Sequence, residues 1–263
     1  MAEFETLLLD ISDGLATITF NRPDRLNALN SALKAELLSA IRQIGKPASG
    51  VRCLMITGAG RGFCAGADLA ESGMGGSEAD SGANLMDSYH PILLELAGLE
   101  MPIVAAVNGV AAGAGMSLAI AADIVIAARS AYFLQAFVNI GLVPDAGSTF
   151  VLPRLIGDAR ARAMMMLGEK LSAEDAATWG MIHRVVDDRS LVEEAQATAH
   201  KLAHGPTLAL SAIRKLMASS ATNGFAQQLQ AEATSQRVAS QTEDCVEGVT
   251  AFIQKREADF SGQ

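Results

Sequence analysis

The chain has 263 residues, 20 Lys and Arg against 29 Asp and Glu, and a formal net charge of −9. That length allows one domain of about 200 residues with a helical extension, and the acidic balance excludes a face built for a nucleic-acid backbone, which needs clustered cations. Cys53, Cys64 and Cys245 form neither a CxxC pair nor a disulfide framework, the acidic start Met1-Ala2-Glu3-Phe4-Glu5 has no signal-peptide pattern, and no apolar run reaches membrane-spanning length. The expectation is a soluble cytoplasmic protein with no nucleic-acid or membrane partner.

Leu7-Leu8-Leu9 and Ala16 to Phe20, flanking Asp13-Gly14, read as two strands joined by a tight turn. Asn30 then caps an amphipathic helix with Leu33, Leu37, Leu38 and Ile41 on one face and Gly45 at its end. Val51 to Thr57 is a buried strand. Glu71 to Asn84, rich in Gly, Ser, Glu and Asp, reads as a surface loop where a lid could sit. A helix around Ile92, Leu96 and Leu99, a strand from Ile103 to Val107, a small-residue helix from Ala114 to Ala121 and a strand from Ile124 to Ala127 follow. The alternation, with strands too continuously apolar to be solvated on one face, implies an α/β layered core.

From Ala159 onward nearly everything reads as helix: Leu191 to Leu202, Thr207 to Met217, Phe225 to Val238 and Thr242 to Lys255. Residues 1–200 are therefore assigned to the core and 201–263 to a C-terminal helical region. Met164-Met165-Met166 reads as core filler. His200 and His204 share helical spacing but read as a polar helix end, so no metal is expected.

Three loops carry the chemistry. Gly58 to Leu69 and Val107 to Ser117 each follow an apolar strand and are rich in small residues, which lets backbone N–H groups approach a ligand oxygen. Gly141-Leu142-Val143-Pro144-Asp145 places one carboxylate in a third loop. Asp145 is the candidate acid/base, and it has a structural alternative, because it precedes Ala146-Gly147-Ser148-Thr149 and could N-cap the next helix.

These segments, with Asn21-Arg22-Pro23-Asp24-Arg25-Leu26-Asn27-Ala28-Leu29 and the closing Ala251-Phe252-Ile253-Gln254-Lys255-Arg256, resemble the crotonase, or enoyl-CoA hydratase/isomerase, superfamily over essentially the whole chain. The resemblance implies an α/β fold, a spiral of repeated β-β-α units, with a C-terminal helical trimerisation region and a homotrimer or hexamer. It implies an acyl-CoA thioester as substrate, coenzyme A being part of it rather than a separate cofactor, and a thioester enolate held by the amides of Ala67 and Ala114. Arg25, Leu26 and Ala28 would line the pantetheine and phosphate path. Ala65 and Asp68, with Leu69 in the same loop, would meet the adenine, the Asp68 side chain holding its own loop. Phe252 and Lys255 would reach a neighbouring subunit's nucleotide, and Met86, Tyr89, His90, Phe133 and Phe137 would touch the acyl group. Arg25 and Lys255 read equally well as solvated surface charges.

Hydratases of this superfamily use two glutamates, and the matching positions here are Ser117 and Phe137, neither of which can do that work. One carboxylate suits isomerisation: Asp145 takes the C2 proton of a 3-enoyl thioester and returns it at C4, its pKa raised by an apolar wall of Phe137, Ile140 and Leu142. Val107 to Gly115, Asp123 to Ala131 and Trp179-Gly180-Met181-Ile182 resemble the subgroup that rearranges ring-1,2-epoxyphenylacetyl-CoA in phenylacetate catabolism and also shifts enoyl double bonds. Three alternatives stay open: a hydratase using other residues, a haloaroyl-CoA dehalogenase built on Asp145 and His90, for which the only tryptophan, Trp179, lies in a different segment, and a non-catalytic thioester-binding protein.

Overall fold

The computed structural model describes residues 4–71 and 80–263. Strands β1 (Leu7–Ser12) and β2 (Leu15–Phe20) form the expected hairpin, antiparallel with Leu7 opposite Phe20. Helix α1 (Ser31–Ile44) begins where the Leu33 N–H donates to Asn30 Oδ1. Leu33, Leu37, Ile41 and Ile44 are fully buried, each worth roughly 1.5–3 kcal/mol of apolar burial. Leu38 is only partly buried.

After α1 the chain repeats one unit. Strands β3 (Cys53–Gly58) and β4 (Gly62–Cys64) precede the helical turn α2 (Ser81–Asn84), a π-helical turn Leu85–Tyr89 and α3 (His90–Gly98). Strands β5 (Ile103–Val107) and β6 (Val110–Ala112) precede α4 (Ala114–Ile120). Strands β7 (Ile124–Ala128) and β8 (Tyr132–Leu134) precede α5 (Ser148–Ile156) and α6 (Asp158–Leu167). The first strand of each unit joins a six-stranded sheet of order β1-β2-β3-β5-β7-β10, and the second joins a four-stranded sheet of order β4-β6-β8-β9. This is the expected β-β-α spiral, and α4, all seven residues of which are buried, lies at its centre. The lid expected over Glu71 to Asn84 lies for the most part outside the described residues. Its C-terminal end departs from the loop reading, because Asp80 Oδ1 accepts from Ala83 N–H and starts a helical turn there.

The region after Ala159 is not purely helical. Short strands β9 (Lys170–Ser172) and β10 (Arg184–Val186) flank α7 (Ala173–Thr178) and complete the two sheets. Three residues carry too little hydrophobic pattern to read as a strand, so these pairings are set by neighbours: Phe133 opposite Leu171, and Arg184 to Val186 alongside β7. Helix α8 (Leu191–Ala203) lays Ala195, Ala199 and Ala203 on β3, β5 and β7, small side chains at helical spacing that permit close approach. Residue 200 therefore falls inside α8. The change of character comes after Ala203, with α9 (Thr207–Ser220), α10 (Phe225–Ala239) and α11 (Glu243–Gln254), whose buried residues are Ser211, Asp244 and Ala251. Arg52 ties this region to the spiral, donating to Thr207 Oγ1 at 2.9 Å and to the Phe260 carbonyl at 3.0 Å. Among the described residues no helix is long and apolar enough to cross a membrane.

Candidate active site

Parallel pairing of β4 with β6, Cys64 beside Ala111, sends the loops after both strands off the same edge of the small sheet. Gly66 stands at φ +93°, and a Cβ there would lie 2.8 Å from the Ala112 carbonyl and 3.6 Å from the Ala114 nitrogen. Only glycine permits both the conformation and the contact. Gly115 is needed for the same closeness, since its Cβ would meet the Cys64 carbonyl at 2.2 Å.

The two loops leave the expected amides available. Leu29 N–H donates to the Gly66 carbonyl and Asp68 N–H to the Leu29 carbonyl, so Ala67 N–H between them has no backbone partner among the described residues. Ala114 opens α4, where an N–H has no intrahelical acceptor. The Asp68 side chain holds its own loop against the segment after β2. It pairs at 2.9 Å with Arg22, both largely buried, while Arg22 also donates to the Ala28 carbonyl. Asn27, fully buried at φ +58°, donates to the Ala59 and Gly62 carbonyls and accepts from Arg22 N–H. Asn108 donates to the Gly60 carbonyl. Arg22, Asn27 and Asn108 fix the loops and were not singled out from the sequence, although all three lie within its motifs.

Asp145 is held by its backbone and left free at its carboxyl. Its carbonyl accepts from Ser148 N–H at 3.1 Å, Ser148 Oγ at 2.9 Å and Ser117 Oγ at 3.2 Å. The N-cap of α5 is Gly147, with no side-chain cap bond, and carboxyl Oδ1 is buried without a hydrogen-bond partner. The capping alternative is thus removed. Burial raises the Asp145 pKa from its ordinary 3.8 to about 6, with His90 pulling it down.

The carboxyl faces a cavity of about 440 Å³ lined by Ala67, Leu85, Tyr89, His90, Leu142 and other residues. A second cavity of about 200 Å³ shares Ala67, Tyr89, Ser81 and Asn84 with it and is lined further by Asn30, Ser31 and Lys34. The expected wall is corrected in part. Leu142 lines the cavity, but Ile140 is exposed and the Phe137 ring lies 3.7 Å from where a Gly113 Cβ would stand, behind the β6 loop. Phe133 is fully buried in the core between β6 and β9, out of reach of a ligand, because that face of β8 packs inward. Met86 is exposed and absent from both walls.

Leu26 and Ala65 are joined by the Ala65 N–H to the Leu26 carbonyl, and Ala28 is buried beside them. Arg25 and Leu69 are exposed at the edge of these loops. Phe252, 85 % exposed, and Lys255 at the end of α11 line neither cavity. Trp179 lies under the Arg160 guanidinium at 5.0 Å and likewise lines neither. His204 pairs with the exposed Asp13 at 3.1 Å, and with His200 the three offer donor atoms within 4.8 Å of one another. Lys34 is a residue that sequence reasoning missed: it is only 8 % exposed although its neighbours on α1 are the apolar face. Its signal was legible, since it sits one residue from Leu33 and three from Leu37.

A spiral that packs two glycine-rich loops against each other and sets a desolvated carboxyl on a cavity shared with the first of them is the crotonase arrangement. The chain belongs to the enoyl-CoA hydratase/isomerase family, whose model matches residues 10–263. It is 46 % identical to the 1,2-epoxyphenylacetyl-CoA isomerase of Escherichia coli (strain K12), over 98 % of this chain and 99 % of that protein. It is 43 % identical to the "Probable enoyl-CoA hydratase" of Rhodobacter capsulatus, over 99 % of both chains. The crystal structure of an enoyl-CoA hydratase from Bacillus anthracis superposes with a TM-score of 0.92 at 31 % identity, covering 98 % of this chain and all of that one.

Proposed function

We propose that the protein is an acyl-CoA isomerase that works by one carboxylate and an oxyanion hole. The observation that carries this reading is Asp145: among the described residues it is the one carboxylate on the wall of the larger cavity, desolvated and without a partner at Oδ1. A carboxyl of pKa about 6 both takes and returns a proton near neutral pH. With the thioester carbonyl against Ala67 and Ala114 N–H, the negative charge formed on loss of the C2 proton rests on two preorganised donors. Protonation at C4 then yields the conjugated 2-enoyl thioester, with no net gain or loss of atoms. The same enolate chemistry serves the ring-1,2-epoxide of phenylacetyl-CoA, in keeping with the likeness to the Escherichia coli isomerase.

Hydration is the second reading, favoured by the Rhodobacter relative. It lacks its bases here. Ser117 is committed to the Gly113 and Asp145 carbonyls, and Phe137 cannot titrate. Dehalogenation on Asp145 and His90 would want a tryptophan on the cavity wall, which Trp179 does not supply. We assign the pantetheine and nucleotide path to Arg25, Leu26, Ala28, Ala65, Asp68 and Leu69. A homotrimer or hexamer in which Phe252 and Lys255 meet a neighbour accords with the exposed Met217, Phe225, Val249, Phe252 and Ile253 on α9 to α11.

The test is product analysis by mass spectrometry with solvent deuterium, offering 3-hexenoyl-CoA and ring-1,2-epoxyphenylacetyl-CoA separately to the native chain and to Asp145→Asn. Conversion without added water, abolished in the variant, is expected. A gain of water would instead mean hydration, and binding without turnover of either ester a carrier.

A further inference from the structure

Tyr89 belongs to both cavities and is used by neither the enolate chemistry nor the fold's hydrogen bonding. It is 5 % exposed, and its hydroxyl makes no hydrogen bond to any described residue. Its side chain lines both cavities and so borders the space a ligand would occupy.

The ring is fixed from α1. Lys34 Nζ lies 4.6 Å from the Tyr89 ring centroid and donates to Asn84 Oδ1 at 3.0 Å and Ser88 Oγ at 2.9 Å. Ser88 in turn donates to the Asn84 carbonyl. One ammonium therefore clamps the π-helical turn Leu85–Tyr89, an irregularity of the kind that recurs at functional positions. A cation over the face of a phenol draws density from the ring and favours the hydroxyl as a donor. Burial pushes the phenol's pKa up, with Asp145 and Cys64 adding to it, so it remains protonated wherever Asp145 works.

The second cavity is otherwise mostly polar, with Asn30, Ser31, Lys34, Ser81 and Asn84 on its wall beside the carboxylates of Asp68, Glu71 and Asp80. A purely hydrocarbon acyl chain there would strip water from these groups and give nothing back. Ala67, one of the two amides assigned to the thioester carbonyl, lines the same two cavities as Tyr89. An acyl group that leaves that amide toward Asp145 passes the phenol.

We propose that Tyr89, braced by Lys34, is a specificity-determining donor that selects acyl groups bearing an ether, epoxide or hydroxyl oxygen over plain hydrocarbon ones. The proposal rests on the acyl-CoA reading above. Its effect is a hydrogen bond to substrate, and the phenol's loss should cost the oxygenated ligand more than its deoxy counterpart.

The experiment is calorimetric titration of the full chain with two pairs of unreactive thioesters: 2-hydroxyphenylacetyl-CoA with phenylacetyl-CoA, and 5-hydroxyhexanoyl-CoA with hexanoyl-CoA. The native chain is expected to prefer the oxygenated member of at least one pair by roughly 3- to 10-fold in Kd. Tyr89→Phe should bring that ratio close to one, with far-UV circular dichroism and the thermal midpoint confirming that the variant folds. Equal affinity within both native pairs, or a preference that survives in Tyr89→Phe, would overturn the proposal while leaving the acyl-CoA reading in place. Failure of every thioester to bind would overturn that reading and the proposal with it.

Discussion

The floor of the site, where the loops after β4 and β6 meet, is made of backbone, whereas its wall, from Ser81 to His90 and from Leu142 to Thr149, is made of side chains. The floor depends on glycines that nothing else can replace and on amides that every residue but proline carries. The wall depends on which side chains stand there, Tyr89, His90 and Asp145 among them. One region conserves a geometry, and the other determines which proton moves. A family with one fold and several reactions follows from that division.

The division can be broken most severely at the wall. Asp145→Asn should lower kcat by about 10²- to 10⁴-fold, the range for losing a positioned acid/base, read as the initial rate of 3-hexenoyl-CoA conversion. In the native chain kcat/KM should rise with pH through a single ionisation near 6 and then level, since the base acts when deprotonated. A profile flat from pH 5 to 8 would remove Asp145 from the chemistry.

At the floor, Ala114→Pro deletes one amide and little else, because the first position of a helix tolerates proline and has no intrahelical hydrogen bond to lose. A loss of about 10²- to 10³-fold in kcat is expected, with the thermal midpoint nearly unchanged. Full activity would show that Ala114 N–H holds no developing charge.

Asp145→Asn should also stabilise the protein at pH 8. A carboxyl whose folded pKa lies near 6 against an ordinary 3.8 binds a proton in the folded state that the unfolded chain has already released, so native stability falls as pH rises through that window. The full penalty is present above about 6, at most about 3 kcal/mol by the size of the shift and roughly 1–3 kcal/mol after relaxation. Urea unfolding of native and variant chains should therefore diverge at pH 8 and converge below pH ~4. An effect of similar size and opposite sign is expected for Arg22→Met, which leaves Asp68 unpaired beside Ala67 and should cost about 1–3 kcal/mol in the same assay.

The floor was legible in the sequence and the wall only partly so. Glycine-rich loops after apolar runs announce themselves because the backbone needs those glycines locally, and Asn30 and Gly45 marked the ends of α1 for the same reason. Asp145 could be found as a carboxylate in the third loop, but whether it capped α5 depended on Gly147 at φ +78° taking that place. Phe133, which the family resemblance implied as an acyl contact, is fully buried, and which face of β8 packs inward is set by elements distant in the chain. The spacing of Lys34 from Leu33 and Leu37 marked it for the buried face, but its role was not legible, since its partners, Asn84 and Ser88, are 50 and 54 residues away. Strands β9 and β10 were missed because three-residue strands borrow their conformation from neighbours.

Cys64 ends β4 directly beneath the meeting point of the two loops, fully buried, its thiol pushed up to about 12 by that burial. A thiol so placed is silent toward an alkylating reagent until the floor opens, whereas Cys245 on α11 is partly accessible throughout. The sulfur is thus a built-in clock: its labelling rate, compared with that of Cys53 buried in β3, times how often the floor breathes on its own rather than with the whole sheet.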